Sequence, residues 1–168
     1  MDDRLQITAA ALRKMASAKA ADCLITRYPM DSPDYWEVFQ VLPHVSWKRA
    51  DQIRLAQQYL QKMPFASAKP YAVFAAFMAF DALIGILHAQ LPVPESKRDL
   101  LLYYLQPVLE ASARTDAQRE RLRLFLADVN YPEEAAQAYR NIGNPCHLVW
   151  IAAVAQPAPS RLAPPKVR

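Results

Sequence analysis

The hydrophobic residues of this chain recur at helical spacing, and proline residues separate the apolar segments at intervals. The sequence lacks the sustained alternation of apolar and polar positions that a half-buried strand requires. The pattern therefore predicts an all-α protein of about seven or eight helices. The short links favour antiparallel helix pairs, which can form a compact multi-helix bundle or a short HEAT-like stack. A sequence period of about 40 residues, expected of a true array, does not repeat convincingly, so both architectures stay open.

One predicted helix, over residues 70–89, is apolar on nearly every side, with large residues on one flank and alanines on the other. A helix of this kind is predicted to be buried, and its alanine side lets a neighbouring helix approach closely. We therefore expect it at the centre of the fold. The predicted helices cover residues 3–22, a short segment from Ser32 and Pro33 to Pro43, 46–63, 70–89, a segment from Ser96 that Pro107 kinks or breaks, 115–129, a short segment from Pro132 to Gly143, and 145–155.

The length of 168 residues is typical of one domain with a tail. We predict a single helical domain over residues 1–156. The remainder, residues 157–168, is rich in proline and contains three cations and no acid. This composition predicts a basic tail that is disordered or bound to a partner.

Glycine is scarce, since the chain contains only Gly85 and Gly143. A glycine-rich phosphate loop, a dinucleotide-binding turn and a nucleophile elbow each require several glycines, so these enzyme classes are excluded as sequence matches. The sequence also lacks an HExxH motif and a nucleophile with a nearby candidate base. We therefore expect a protein that is not an enzyme and that needs no cofactor.

The two cysteines, Cys23 and Cys146, belong to no CxxC motif and predict neither a zinc site nor a redox pair. We interpret them as reduced thiols in the core and expect no metal site. The apolar stretch 71–91 has Asp81 at its centre, where a carboxylate is costly in lipid, so we expect no membrane span. The opening acids Asp2 and Asp3 do not fit a signal peptide and favour a cytoplasmic location.

Two ionisable residues, Asp81 and His88, lie seven positions apart in the apolar segment 70–89, on one face of the predicted helix. The sequence predicts both as buried polar groups. In the simpler interpretation, each lies on a helix flank or is satisfied by a neighbouring helix and so fixes the packing register. In the other, they form an acid–base pair of an enzyme, with the perturbed pKa values that burial produces.

The candidate partner-binding residues combine aromatic rings with cations. The stretch 31–39 is acidic and aromatic, and tryptophan and tyrosine are enriched at binding hot spots, although we expect Phe39 and one tryptophan in the core. The stretch 47–71 has a local charge of about +4 with interleaved aromatic residues. The predicted contact residues are Tyr35, Trp36, Trp47, Lys48, Arg49, Arg54 and Lys62.

The net charge of +4 falls to about +1 without the tail, which does not favour a dedicated nucleic-acid binder. The leading hypothesis is therefore a helical protein-interaction module, an adaptor, inhibitor or assembly subunit that binds a protein partner. The alternative is a small nucleic-acid-binding subunit that uses the cations of residues 47–71 on phosphates. The spacing of those cations predicts no single basic stripe. The enzyme with Asp81 and His88 is the third hypothesis.

Overall fold

The helical pattern of the sequence is borne out in a computed structural model that describes residues 2–130, where all regular structure is helical. Two short 3-10 turns, Tyr35–Glu37 and Leu42–His44, flank the third helix. The predicted helices beyond residue 130 and the predicted tail lie outside the described residues. The α-helices of the described range are α1 (Asp3–Leu12), α2 (Ser17–Arg27), α3 (Val38–Val41), α4 (Arg49–Leu60), α5 (Lys69–Phe77), α6 (Phe80–His88), α7 (Glu95–Ser112) and α8 (Asp116–Asn130).

The helices form two layers, because each helix packs against the helix two places further along the chain. One layer contains α1, α3, α5 and α7, and the other contains α2, α4, α6 and α8. Side-chain contacts show that neighbours in the second layer run parallel. Asp81 at the start of α6 pairs with Arg121 of α8, and His88 at its end pairs with Asp128. The structure confirms the all-α class with compact packing of helix on helix, and the contacts between alternate helices are similar to those of the HEAT-like stack.

The helices of the second layer begin at Ser17, Arg49, Phe80 and Asp116, which are 32, 31 and 36 residues apart. This structural period is shorter than 40 residues and is irregular. The contacts that join successive helices also differ in kind. Tyr59 of α4 donates its hydroxyl to the backbone oxygens of Leu24 and Tyr28, whereas ion pairs join α6 to α8. Because both the spacing and the contacts vary from one pair of helices to the next, the fold does not require a sequence motif that repeats along the chain.

The predicted first helix over residues 3–22 is two helices. The chain leaves helical geometry at Ala16, which has φ −61° and ψ 142°. The cause is tertiary, because the Ser17 hydroxyl accepts a hydrogen bond from the Lys48 backbone N–H at 2.9 Å and donates one to the Asp51 carboxylate. These bonds fix the start of α2 against the start of α4, which a continuous helix would not allow.

The apolar segment predicted as one central helix over residues 70–89 is also divided, between α5 in one layer and α6 in the other. Met78 is extended at the break, with φ −101° and ψ 152°. Each short helix buries most of its large residues, but Phe77 is only half-buried and Ala72, Ala76 and Ala79 stay exposed. These alanines line an open groove of about 920 Å³, whose opposite side includes Pro107 and Val108. The prediction of burial on every side was wrong.

Two further boundaries differ from those that the sequence predicts. Helix α7 continues through Pro107. Proline has no backbone N–H, so the carbonyl of Tyr103, four residues earlier, loses its helical hydrogen bond. Pro107 is exposed, so this carbonyl lies on the solvent side of the helix. Helix α4 begins after Lys48 and ends at Leu60, inside the predicted range 46–63.

The capping box at Thr115 and Gln118 is confirmed by reciprocal hydrogen bonds of 3.2 and 3.3 Å. Within the described range, every helix is too short or too polar to cross a membrane.

An aromatic cluster fills the core where α3 meets its neighbours. Phe39 lies at its centre and is 3% exposed. Its ring makes edge-on contacts with four others, at centroid distances of 5.5 to 6.4 Å. The four are Tyr35, Tyr59, Phe65 and Phe74. The expectation that Phe39 belongs to the core is confirmed, and edge-on packing of this kind stabilises the core beyond the area it buries.

Candidate protein-interaction surface

Trp36 is the most exposed tryptophan of the described residues, with 51% of its surface accessible. It lies in the 3-10 turn Tyr35–Glu37, which local hydrogen bonds hold in place. The Ser32 hydroxyl accepts from the Asp34 N–H at 3.2 Å, and the Glu37 N–H donates to the Asp34 carbonyl at 3.0 Å. Val38 and Phe39 follow directly and are buried. The exposed indole is therefore presented by an ordered segment that the core anchors.

On one side of Trp36, Tyr35 joins the core to the surface. Its ring packs edge-on against Phe39, and the Lys62 ammonium lies 4.0 Å from the ring centroid. A cation at this distance from an aromatic face is attracted by the ring quadrupole. The structure thus brings together three of the predicted contact residues, Tyr35, Trp36 and Lys62.

On the other side of Trp36, the Glu37 carboxylate is buried, with 8% of its side chain exposed. Its Oε1 atom contacts the Arg4 guanidinium of α1. This hydrogen bond and the carboxylate charge raise the pKa of Arg4 above its ordinary value. Neither Glu37 Oε2 nor the buried Tyr28 hydroxyl has a hydrogen-bond partner within the described residues. We call the surface formed by Arg4, Tyr35, Trp36, Glu37 and Lys62 the tryptophan edge.

Four exposed carboxylates lie beside residues of the tryptophan edge along the chain. Asp31 and Asp34 precede Trp36 in the same loop, and Asp2 and Asp3 precede Arg4 at the start of α1. Asp2 also caps α1 by accepting a hydrogen bond from the Arg4 backbone N–H at 3.3 Å. The contact between Arg4 and Glu37 brings the two acidic segments to the same part of the surface. The sequence pattern marks the acids of residues 31–39 as part of a candidate surface but does not show that Asp2 and Asp3 lie near them.

Trp47 does not belong to this surface, which corrects its prediction as a contact residue. It is 8% exposed, and its indole N–H donates to the Leu42 carbonyl at 3.0 Å. This hydrogen bond satisfies the polar atom of the side chain, so Trp47 can be buried without penalty. It is the core tryptophan that the sequence led us to expect.

The predicted cations are dispersed. Lys48 and Arg49 lie at the start of α4, whereas Lys62 follows its end, about 18 Å away along a helix of this length. Arg54 lies between them and forms an ion pair with Asp22 of α2. The structure therefore places the four cations at three separate positions, as the predicted absence of a single basic stripe requires.

Asp81 and His88 were predicted as buried polar groups, and the structure corrects this. The side chain of Asp81 is 61% exposed and that of His88 is 32% exposed. Asp81 pairs with Arg121 at 2.9 Å, and His88 Nε2 lies 3.0 Å from Asp128 Oδ2. Both residues therefore lie on the flank of α6 and face α8. The simpler interpretation, in which a neighbouring helix satisfies each group, describes their contacts.

Two other polar features differ from the sequence analysis. Asp51 is buried and bonded to Ser17, and no local sequence motif predicts a contact between residues 34 positions apart. Cys23, predicted in the core, is an exposed free thiol, whereas Cys146 lies outside the described residues. Between residues 2 and 130, no three histidine, cysteine or acidic side chains are grouped so that they could hold a metal ion.

Comparison with known proteins adds no assignment: no protein-family model matches the chain, and neither curated proteins nor solved structures include a significant match.

Proposed function

We propose that this chain is a non-enzymatic helical protein-interaction module that binds a protein partner through the tryptophan edge. The observation that carries the proposal is Trp36, a half-exposed indole on a turn that the core anchors. Tryptophan is the residue type most enriched among the side chains that dominate binding energy. An exposed indole with neighbours that are already ordered supports a binding role more strongly than any other described residue does.

The proposed mechanism is surface complementarity. Tyr35 and Glu37 are held by Lys62 and Arg4 before any partner arrives. A surface that is ordered in the free protein loses little conformational entropy on binding. The module would act as an adaptor, an inhibitor or an assembly subunit, without a cofactor. We propose the cytoplasm as its location, where the free thiol of Cys23 would stay reduced.

The test begins with affinity purification of the full chain from its native lysate, with and without nuclease, followed by binding measurements with the purified partner. We expect Trp36→Ala to weaken binding about 30-fold, the effect of losing roughly 2 kcal/mol at a hot spot. Tyr103→Ala is the matched control, because Tyr103 is 73% exposed on α7, away from this edge. Equal affinities for the two variants would overturn the proposal.

The alternative is a nucleic-acid-binding subunit that uses the exposed cations Lys48 and Arg49 with Arg54. The same purification tests it, because partners that disappear after nuclease treatment would favour this function. Charge reversal of the three residues would then abolish binding that also falls steeply with salt. Their dispersion and the pairing of Arg54 with Asp22 support the alternative less well than the exposed indole supports a protein partner.

A further inference from the structure

We propose that the tryptophan edge takes a basic segment of its partner, with an arginine side chain stacked on Trp36 and further cations beside the surrounding carboxylates. This inference rests on the proposed function and adds the chemical class of the partner. The observation behind it is the juxtaposition of an exposed indole with two acidic segments, residues 2–3 and 31–34, that the contact between Arg4 and Glu37 brings together.

Carboxylates outnumber cations at the tryptophan edge and in the two acidic segments beside it. Of the two cations that belong to the tryptophan edge, Arg4 pairs with Glu37, whereas Lys62 lies over the neutral Tyr35 ring and keeps its charge. The exposed carboxylates of Asp3, Asp31 and Asp34 have no ion pair among the described residues. The acidic edge contrasts with the net charge of +4 of the whole chain. Such a local field selects a partner segment of opposite charge and speeds its association.

A buried acceptor beneath the edge points to the same partner chemistry. Glu37 is more than nine-tenths buried, yet its Oε2 atom has no hydrogen-bond partner within the described residues. An unpaired buried carboxylate oxygen is costly, and a charged N–H donor satisfies it better than a neutral one. The Arg4 side chain that covers this carboxylate is 53% exposed. Because Oε2 is closed to solvent, an incoming guanidinium would reach this unused acceptor only if the half-exposed Arg4 side chain moved aside.

Arginine fits this edge better than lysine does. Its planar guanidinium stacks on an aromatic face and also donates to carboxylates in a fixed fork. Trp36 supplies the preferred aromatic face for a cation, and Asp34 lies two residues before it in the same turn. An apolar or acidic partner segment would leave these carboxylates without compensation.

The experiment measures the binding of fluorescein-labelled hexa-arginine and hexa-glutamate to the full chain by fluorescence anisotropy. We expect saturable binding of hexa-arginine that weakens with salt, and no binding of hexa-glutamate. The variant Asp31→Asn/Asp34→Asn should raise the Kd for hexa-arginine about tenfold, the loss expected for two exposed charge pairs. Trp36→Ala should raise it as well, because the stacking face is removed.

The matched control is Glu95→Gln/Asp99→Asn, which makes the same change in charge at two exposed acids in the first turns of α7. We expect this control to change the Kd less than about twofold. An equal effect of the two double variants would show that hexa-arginine responds only to net charge, and would overturn the inference. Absence of saturable binding to hexa-arginine would overturn it too.

The purified partner separates failure of this inference from failure of the proposed function. If Trp36→Ala abolishes partner binding while Asp31→Asn/Asp34→Asn leaves it unchanged, the interaction surface stands and the basic partner is wrong. If neither variant affects partner binding, both proposals fail. Loss of binding in both variants, with the control variant unaffected, supports both.

Discussion

At the scale of a single residue, buried Tyr71 makes the free energy of unfolding depend on pH. Its phenol is 1% exposed and accepts a hydrogen bond from the Phe65 backbone N–H at 3.0 Å. Burial raises the pKa of Tyr71 to about 12, although this hydrogen bond opposes part of the increase. A tyrosine in the unfolded chain ionises near pH 10. Between these two values, only the unfolded state loses the proton, so the free energy of unfolding falls as the pH rises.

The first prediction concerns this alkaline window. Urea denaturation at pH 8, 10, 11 and 12 should show stability that is constant below about pH 10 and then falls. Tyr71→Phe should lose about 1–3 kcal/mol at pH 8, because the buried Phe65 N–H loses its acceptor, but should show a shallower decline above pH 10. An equally steep alkaline decline in Tyr71→Phe would assign the effect to other groups, such as Tyr59, whose pKa burial also raises.

The second prediction concerns Phe39, whose ring touches four other aromatic rings at the centre of the core. Phe39→Ala should lower the free energy of unfolding by about 3–5 kcal/mol, the usual cost of deleting a buried phenylalanine ring. Ile7→Ala is the control, because Ile7 is 70% exposed on α1. It should change stability by no more than about 0.5 kcal/mol in the same urea denaturation. Similar losses in the two variants would contradict the packing described here.

At the scale of elements, Ser17 and Asp51 decide where α2 begins and how it meets α4. The Ser17 hydroxyl accepts a hydrogen bond from the Lys48 N–H and donates one to the Asp51 carboxylate, so one side chain joins the start of α2 to the start of α4. The Asp51 carboxylate also lies in the first turn of α4, where negative charge interacts favourably with the helix dipole. The third prediction tests this joint between the two helices.

Ser17→Ala and Asp51→Asn should each cost about 1–2 kcal/mol in thermal or urea denaturation. The double variant should cost less than the sum of the two by about 1 kcal/mol, because both substitutions remove the same hydrogen bond. Ser32→Ala is a useful comparison, since the Ser32 hydroxyl caps only its own exposed turn. Strict additivity of the two substitutions would mean that Ser17 and Asp51 do not act together.

The sequence predicted helices well and their ends poorly, for reasons that α5 and α6 illustrate. Helical spacing and proline positions depend on local sequence, so the all-α class and the capping box at Thr115 were predictable. The break at Met78 was not, because it follows from placing α5 and α6 in different layers, which is a tertiary requirement. The same limit applies to the site. Sequence alone could not distinguish exposed Trp36 from buried Trp47, whose indole is satisfied by a carbonyl five residues away.

At the scale of the whole molecule, the two-layer stack predicts how a disturbance spreads. The main contacts of the second layer join helices that are neighbours in that layer, so among the described helices α2 packs on α4, α4 on α6 and α6 on α8. The stability of such a stack is approximately a sum of terms for units and for neighbouring interfaces. A closed bundle, in which every helix contacts a common core, would instead respond as a single cooperative unit.

The fourth prediction uses one core deletion at each end of the described stack. Phe125 of α8 is 2% exposed and Leu24 of α2 is fully buried. In native-state hydrogen exchange, Phe125→Ala should speed exchange of the amides of α6, α7 and α8 while those of α1 and α2 keep their protection. Leu24→Ala should have the opposite effect. Phe125→Ala should remove about 3–5 kcal/mol and Leu24→Ala about 2–5 kcal/mol from its own neighbourhood, which is enough to raise local opening at least about thirtyfold. If both variants lost protection evenly over all eight helices, the stack would unfold as one unit, and contacts between successive helices alone would not describe its stability.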